Sequence, residues 1–127
     1  MLGALVETPP ALRDYAECIQ KALDFGGNVY TIEDVERLIA EGKAQFFPGK
    51  DSVIVTEVIE YPQTKNLHMF LAGGNLEELE EMLPAVIEWG REQGCNRASL
   101  SGRRGWERSF LRDQGWKPTL ILMEKEI

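Results

Sequence analysis

Residues 66–101 read NLHMFLAGGNLEELEEMLPAVIEWGREQGCNRASLS, and this run decides the fold. Asn66 to Ala72 has strand character, Gly73-Gly74 interrupts it, and Asn75 opens a long helix as a good N-cap residue. Glu77 and Glu78 complement the positive end of the helix dipole. Leu76, Leu79, Leu83, Val86 and Ile87 recur at helical spacing on one face, while Glu80, Glu81, Glu88 and Glu92 mark the other. Pro84 inside this helix predicts a bend or an interrupted turn. Gly94 closes the helix, and Arg97 to Ser101 forms the next strand. Strand, crossover helix and strand make a right-handed unit whose two strands run parallel.

Upstream, residues 10–25 carry apolar side chains at helical spacing: Leu12, Tyr15, Cys18, Ile19, Ala22 and Leu23. Pro9 and Pro10 suit the start of that helix, and Gly26-Gly27 supplies its stop. Thr31 and Asp34 are spaced as a capping box for a second helix whose inner stripe is Val35, Leu38 and Ile39. Gln45-Phe46-Phe47 is a short strand. Ser52 to Tyr61 is rich in β-branched residues on both faces, as befits a central strand, and it joins the flanking strands in an antiparallel meander. Downstream, Gly102 and Gly105 bracket a turn, a helix runs from about Trp106 to Asp113, and Thr119 to Glu124 forms a last strand. The order is helix, helix, three strands, helix, strand, helix, strand. It describes an α+β fold: one layer of mixed sheet with helices on both faces.

At 127 residues the chain is expected to be one domain, 1–127, with 43% hydrophobic and 28% charged residues, which are ordinary globular values. No apolar run reaches the length of a membrane span, and residues 1–10 are too short and carry no basic side chain for a signal peptide. The expected location is therefore cytoplasmic. Cys18 and Cys95 lack a metal spacing and read as apolar fillers. The net charge of -7 argues against broad nucleic-acid binding. It leaves room for a local anion site, because six of the eight arginines lie between Arg91 and Arg112.

Ligands of such units gather beyond the carboxyl ends of the parallel strands, which places Leu71–Asn75 near Gly102–Gly105. The glycine pair before a helix start reads equally as a phosphate-binding loop or as a tight turn. Arg103, Arg104, Arg108 and the neighbouring Trp106 suit an anion or the carboxylates of a partner. His68, the only histidine, has the chemistry of a general base but is more often a packed or surface imidazole. Glu57 on the central strand suits proton removal from an amine. Ser99 and Ser101 show no visible His/Asp arrangement in the linear sequence, and no His/Cys/Asp cluster suggests a metal.

The order of elements, together with the closing Trp106…Phe110-Leu-Arg-Asp-Gln-Gly-Trp116 segment, resembles the GNAT fold of acetyl-CoA-dependent N-acetyltransferases. More narrowly, Glu41-Gly-Lys-Ala-Gln-Phe-Phe-Pro-Gly49, Thr56-Glu57, Leu71-Ala-Gly-Gly74 and Gly102-Arg-Arg-Gly-Trp106 are similar to small GNAT-like proteins of tailed bacteriophages. The resemblance covers nearly the whole chain from Tyr30. It implies acetyl-CoA as cofactor, with Leu71, Ala72, Gly73, Gly74 and Asn75 meeting its phosphates. It also implies a small-molecule or protein amine as acceptor, with Glu57 or His68 taking the amine proton. The alternative it implies is an inactive binding or structural protein on the same fold, engaging a protein partner in a phage particle and located in the host cytoplasm or virion. The chain departs from the family pattern in two places. No basic residue precedes the glycine pair, and Leu111 stands about where the family often has a general-acid tyrosine.

Overall fold

The computed structural model describes residues 11–102 and 105–127. Pro9 and Pro10, and the turn arginines Arg103 and Arg104, lie outside the described residues. A 3-10 turn, Leu12–Tyr15, leads into α1 (Ala16–Phe25) and then α2 (Ile32–Ala40). Three strands follow, β1 (Gln45–Pro48), β2 (Val53–Glu60) and β3 (Lys65–Gly73), then the long α3 (Leu76–Glu92) and β4 (Arg97–Leu100). A 3-10 turn, Trp106–Arg108, and the short α4 (Phe110–Asp113) complete the elements.

The sheet order is β1-β2-β3-β4. β1 and β3 pair antiparallel with β2, and β4 pairs parallel with β3, as the crossover through α3 requires. Because side chains alternate across a strand, the sheet feeds two cores. Val53, Val55 and Leu71 pack with Ile19, Leu23 and Val35 under α1 and α2. Ile54, Leu67 and Met69 pack with Leu79, Leu83, Val86 and Leu111 under α3 and α4. β2 is the strand buried from both sides: Val53, Ile54, Val55 and Thr56 are all buried.

The local signals act as their chemistry demands. Thr31 Oγ accepts the Asp34 N–H at 3.2 Å and the Asp34 carboxylate accepts the Thr31 N–H at 2.9 Å, so the capping box is closed. Asn75 caps α3 by accepting the Glu78 N–H at 3.0 Å.

Four expectations change. α3 runs unbroken through Pro84 from Leu76 to Glu92. Proline removes the donor that would reach the Glu80 carbonyl, and the Gln114 side-chain amide supplies a long substitute contact to that oxygen at 3.4 Å. Leu76, assigned to the inner face of α3, is 51% exposed, because the helix meets the sheet only from Leu79 onward. The helix expected over Trp106–Asp113 is two pieces separated at Ser109, whose backbone is extended. Its hydroxyl donates to the Trp106 carbonyl at 2.6 Å and so competes with the helical ladder. The last strand, Thr119–Glu124, is not formed. Leu120, Ile121, Leu122 and Met123 are 79–91% exposed, because no described strand lies beside them to take their backbone groups.

Candidate functional site

The ladder between β3 and β4 joins Asn66 with Arg97, Leu67 with Ala98, His68 with Ser99 and Met69 with Leu100, and it ends there. β3 continues for four more residues, Phe70 to Gly73, with no partner on the β4 side among the described residues. Among the described residues the two parallel strands thus part at their carboxyl ends. A second irregularity falls at the same place. Val55 pairs with Leu71 but Thr56 pairs with Met69, so Phe70 is an extra residue bulged out of β3. Its ring meets the Tyr30 ring edge-on, with centroids 5.2 Å apart.

Below the parting, three polar side chains share one row. Glu57 lies opposite His68 across β2–β3, and His68 lies opposite Ser99 across β3–β4. Residues directly opposite one another project from the same face. Their chain neighbours Val58, Leu67, Met69, Ala98 and Leu100 belong to the α3-side core, so the row occupies the other face, the one α1 and α2 cover farther along the strands. His68 Nδ1 lies 2.9 Å from Ser99 Oγ. That contact leaves Nε2 as the ring nitrogen available for other chemistry. The linear sequence showed no histidine partner for Ser99. The partner exists because parallel pairing places residues 31 positions apart side by side.

The glycine pair is less open than its composition suggests. A Cβ on Gly73 would approach the Cys18 carbonyl oxygen to 2.9 Å, so α1 rests directly on the strand end. Gly74 has φ +122°, and a Cβ there would overlap Ser52 Cα and the Asp51 carbonyl oxygen, each at 2.6 Å. Ser52 is buried, and its hydroxyl accepts the Asn75 N–H at 2.8 Å. The Glu78 carboxylate turns back to accept the Lys50 and Asp51 N–H groups of the loop after β1. The Ser52 hydroxyl, then the Asp51 and Lys50 N–H groups, hold the Glu78 carboxyl below the ordinary glutamate range. Tyr15 closes the same corner by donating to the Gly49 carbonyl at 2.6 Å, and burial raises its phenol pKa. Leu71 is buried within the α1–α2 core, and Ala72 borders the α3-side core.

The arginine-rich turn is described only in part. Trp106 packs at the rim of the α3-side core, close to where a Gly102 Cβ would stand, and Arg108 is exposed. Leu111 is buried in the same core. Among the described residues there is no cluster of three or more metal-ligating side chains, and no helix is long and apolar enough to cross a membrane. Cys18 and Cys95 are free, half-buried thiols.

No family model matches the chain, and no curated protein does. Solved structures do match over nearly the full length. An aminoglycoside 6'-N-acetyltransferase from Acinetobacter haemolyticus superimposes with a TM-score of 0.65 at 11% identity, covering 95% of this chain and 96% of that one. An aminoglycoside acetyltransferase from an uncultured soil metagenomic sample, solved with trehalose, gives 0.63 at 8% identity over 86% of each chain. A transcriptional regulator from Bacillus halodurans gives 0.64 at 12% identity over 93% and 96%. At such identities the likeness is one of fold, and it carries nothing for the tailed-phage part of the resemblance. The mixed α+β architecture, a four-stranded mixed sheet with helices, is consistent with the GNAT fold of these neighbours.

Proposed function

We propose that this chain is an acetyltransferase that moves an acetyl group from acetyl-CoA to an amine. The observation that carries the reading is the β3 edge at Phe70–Gly73, which has no partner on the β4 side among the described residues and lies directly beside the Glu57–His68–Ser99 row. An unpaired strand edge offers backbone N–H and C=O groups to an extended amide-bearing chain, and a bulge there re-aims one of them. A backbone donor aimed at the scissile carbonyl would stabilise the charge that develops on its oxygen. Glu57 and His68 form the proton-accepting pair for the incoming amine, with Ser99 orienting the imidazole through its 2.9 Å contact.

The fit to acetyl-CoA differs at its two ends. The acyl and pantetheine part meets the open β3 edge. The diphosphate would meet the start of α3, where the Asn75 and Glu78 N–H groups already serve Ser52 and Asn75 and where Glu77 adds a negative charge. The Leu76 and Glu77 N–H groups and the helix dipole are what this end offers a phosphate. Calorimetry with acetyl-CoA, coupled to an acetylation assay on a panel of amines, tests the reading. Saturable heat and turnover support it, while neither at millimolar cofactor overturns it. Glu77→Lys should tighten binding by removing the opposing charge without disturbing the packed glycines.

A second reading rests on the satisfied N–H groups at Asn75 and Glu78. A protein on this fold that no longer binds cofactor would act through its surface, with Trp106, Arg108 and the flanking Arg103 and Arg104 engaging a protein partner, in a phage particle or elsewhere. Capture of that partner by the cofactor-free protein, lost on Arg108→Glu, is its signature.

A further inference from the structure

We infer that Ser99 is a nucleophile that takes acyl groups from thioesters and other activated esters and passes them to water when no amine is present. For its thioester donor the inference rests on the proposed function, and it goes beyond that reading by placing the acyl group on the protein. Three observations carry it. Ser99 Oγ lies 2.9 Å from His68 Nδ1, close enough to hand its proton to the ring. Glu57 faces His68 from the opposite flank, on β2, where residues directly opposed stand with Cβ atoms about 4.5–5.5 Å apart. The β3 edge that has no partner on the β4 side among the described residues begins two residues beyond His68, at Phe70. Nucleophile, base, anion and backbone donors thus lie together across three neighbouring strands. His68 and Ser99 are both half-buried, so the pair is neither sealed in the core nor fully in water.

A serine hydroxyl is a weak nucleophile until a base in contact takes its proton. For His68 to be that base, Nδ1 carries the lone pair and Nε2 the hydrogen. The ring is therefore turned relative to the usual serine hydrolases, in which Nε2 meets the serine and the acid meets Nδ1. The Glu57 carboxylate offsets the positive charge that the ring gains. Ser99 Oγ attacks the acyl carbonyl carbon while its proton passes to Nδ1. The bond from that carbon to the leaving sulfur or oxygen then breaks, and the leaving group departs with the proton. Water next attacks the carbonyl of acyl-Ser99 and gives a proton to Nδ1. The ester bond to Oγ breaks, Oγ takes that proton back, and the free acid leaves. Nothing is oxidised or reduced. In both steps the N–H groups of the open β3 edge serve the carbonyl oxygen as it gains charge.

The test uses the full chain and p-nitrophenyl acetate, an activated ester that needs no coenzyme site. A burst of p-nitrophenolate approaching one equivalent per chain is expected, followed by slower turnover. After an acid quench, tandem mass spectrometry of the tryptic peptide 98–103, which holds both Ser99 and Ser101, should place a hydroxylamine-sensitive acetyl group on Ser99. Ser99→Ala should lose burst and adduct, and His68→Ala should slow the burst by about 10²–10⁴-fold. No burst, acetyl on Ser101 or a lysine instead, or a burst that survives Ser99→Ala overturns the inference. If that variant does not fold, the position of the adduct on the natural chain still decides. Acetyl-CoA without amine is the second arm, in which thiol release should show the same dependence on Ser99. Amine acetylation with no acyl-Ser99 from either donor would sink the nucleophile and leave the proposed function standing. Acyl-Ser99 from p-nitrophenyl acetate, with no heat of binding from acetyl-CoA, would support the nucleophile and sink the proposed function.

Discussion

The two halves of β3 have opposite designs. From Asn66 to Met69 the strand is paired on both sides, and it carries His68 in register between Glu57 and Ser99. From Phe70 to Gly73 it is paired, among the described residues, with β2 alone, bulged at Phe70, and held at its end by backbone contacts from Cys18, Asp51 and Ser52. Rigid pairing in the first half fixes side chains relative to one another, as the proposed proton transfer would need. In the second half the backbone itself is left free on one side while its position is anchored from behind. Under the proposed function this strand end serves as a binding edge, which must be immobile as well as open, and the packed glycines provide that immobility.

The largest effect expected from breaking this contrast is on turnover. Under the proposed function, His68→Ala and Glu57→Gln should each lower the acetylation rate by about 10²–10⁴-fold, with the basal fold intact by circular dichroism. Loss of neither would detach the polar row from chemistry. Next comes Gly74→Ala, which forces a Cβ into Ser52 at a positive φ and should destabilise the fold by about 3 kcal/mol or more, read as a drop in Tm. An unchanged Tm would mean that the turn is open rather than anchored. Ser52→Ala removes the buried acceptor of the Asn75 N–H and should cost about 1–3 kcal/mol in urea denaturation. Ser99→Ala should cost about 1 kcal/mol or less in stability while lowering the acetylation rate with the fold intact by circular dichroism, because the imidazole loses a fixed partner. The smallest effect is the pH dependence at Glu78. Its carboxyl is held low in the folded state, so its contribution is present above the ordinary glutamate value of about 4.3 and fades as pH falls through the folded value. Glu78→Gln should flatten that acid limb of the stability curve, and an unchanged limb would place the titrating group elsewhere.

Periodicity and punctuation were enough for the elements. The capping box at Thr31 and Asp34, the cap at Asn75, the β-branched run of β2 and the stops at Gly26 and Gly94 act over a few residues, and such short-range chemistry is written in the local order of side chains. The same locality explains the misreadings. Pro84 looks like a break until Gln114, thirty residues away, reaches the Glu80 carbonyl. Leu76 fits an apolar stripe until the helix axis lifts it off the sheet, and Leu120–Met123 look like a strand although no described strand lies beside them.

Residue types and spacing alone pointed to a mixed sheet with a right-handed crossover and to Glu57, His68 and the Gly73-Gly74 turn as the places to look. Only the folded chain decided that Glu57, His68 and Ser99 form a single row, that Phe70 is the bulged residue, and that the glycines are small because α1 and Ser52 press against them. Register and close backbone approach arise from packing between distant segments, and a one-residue shift that flips a side chain to the opposite face leaves no mark in the linear order.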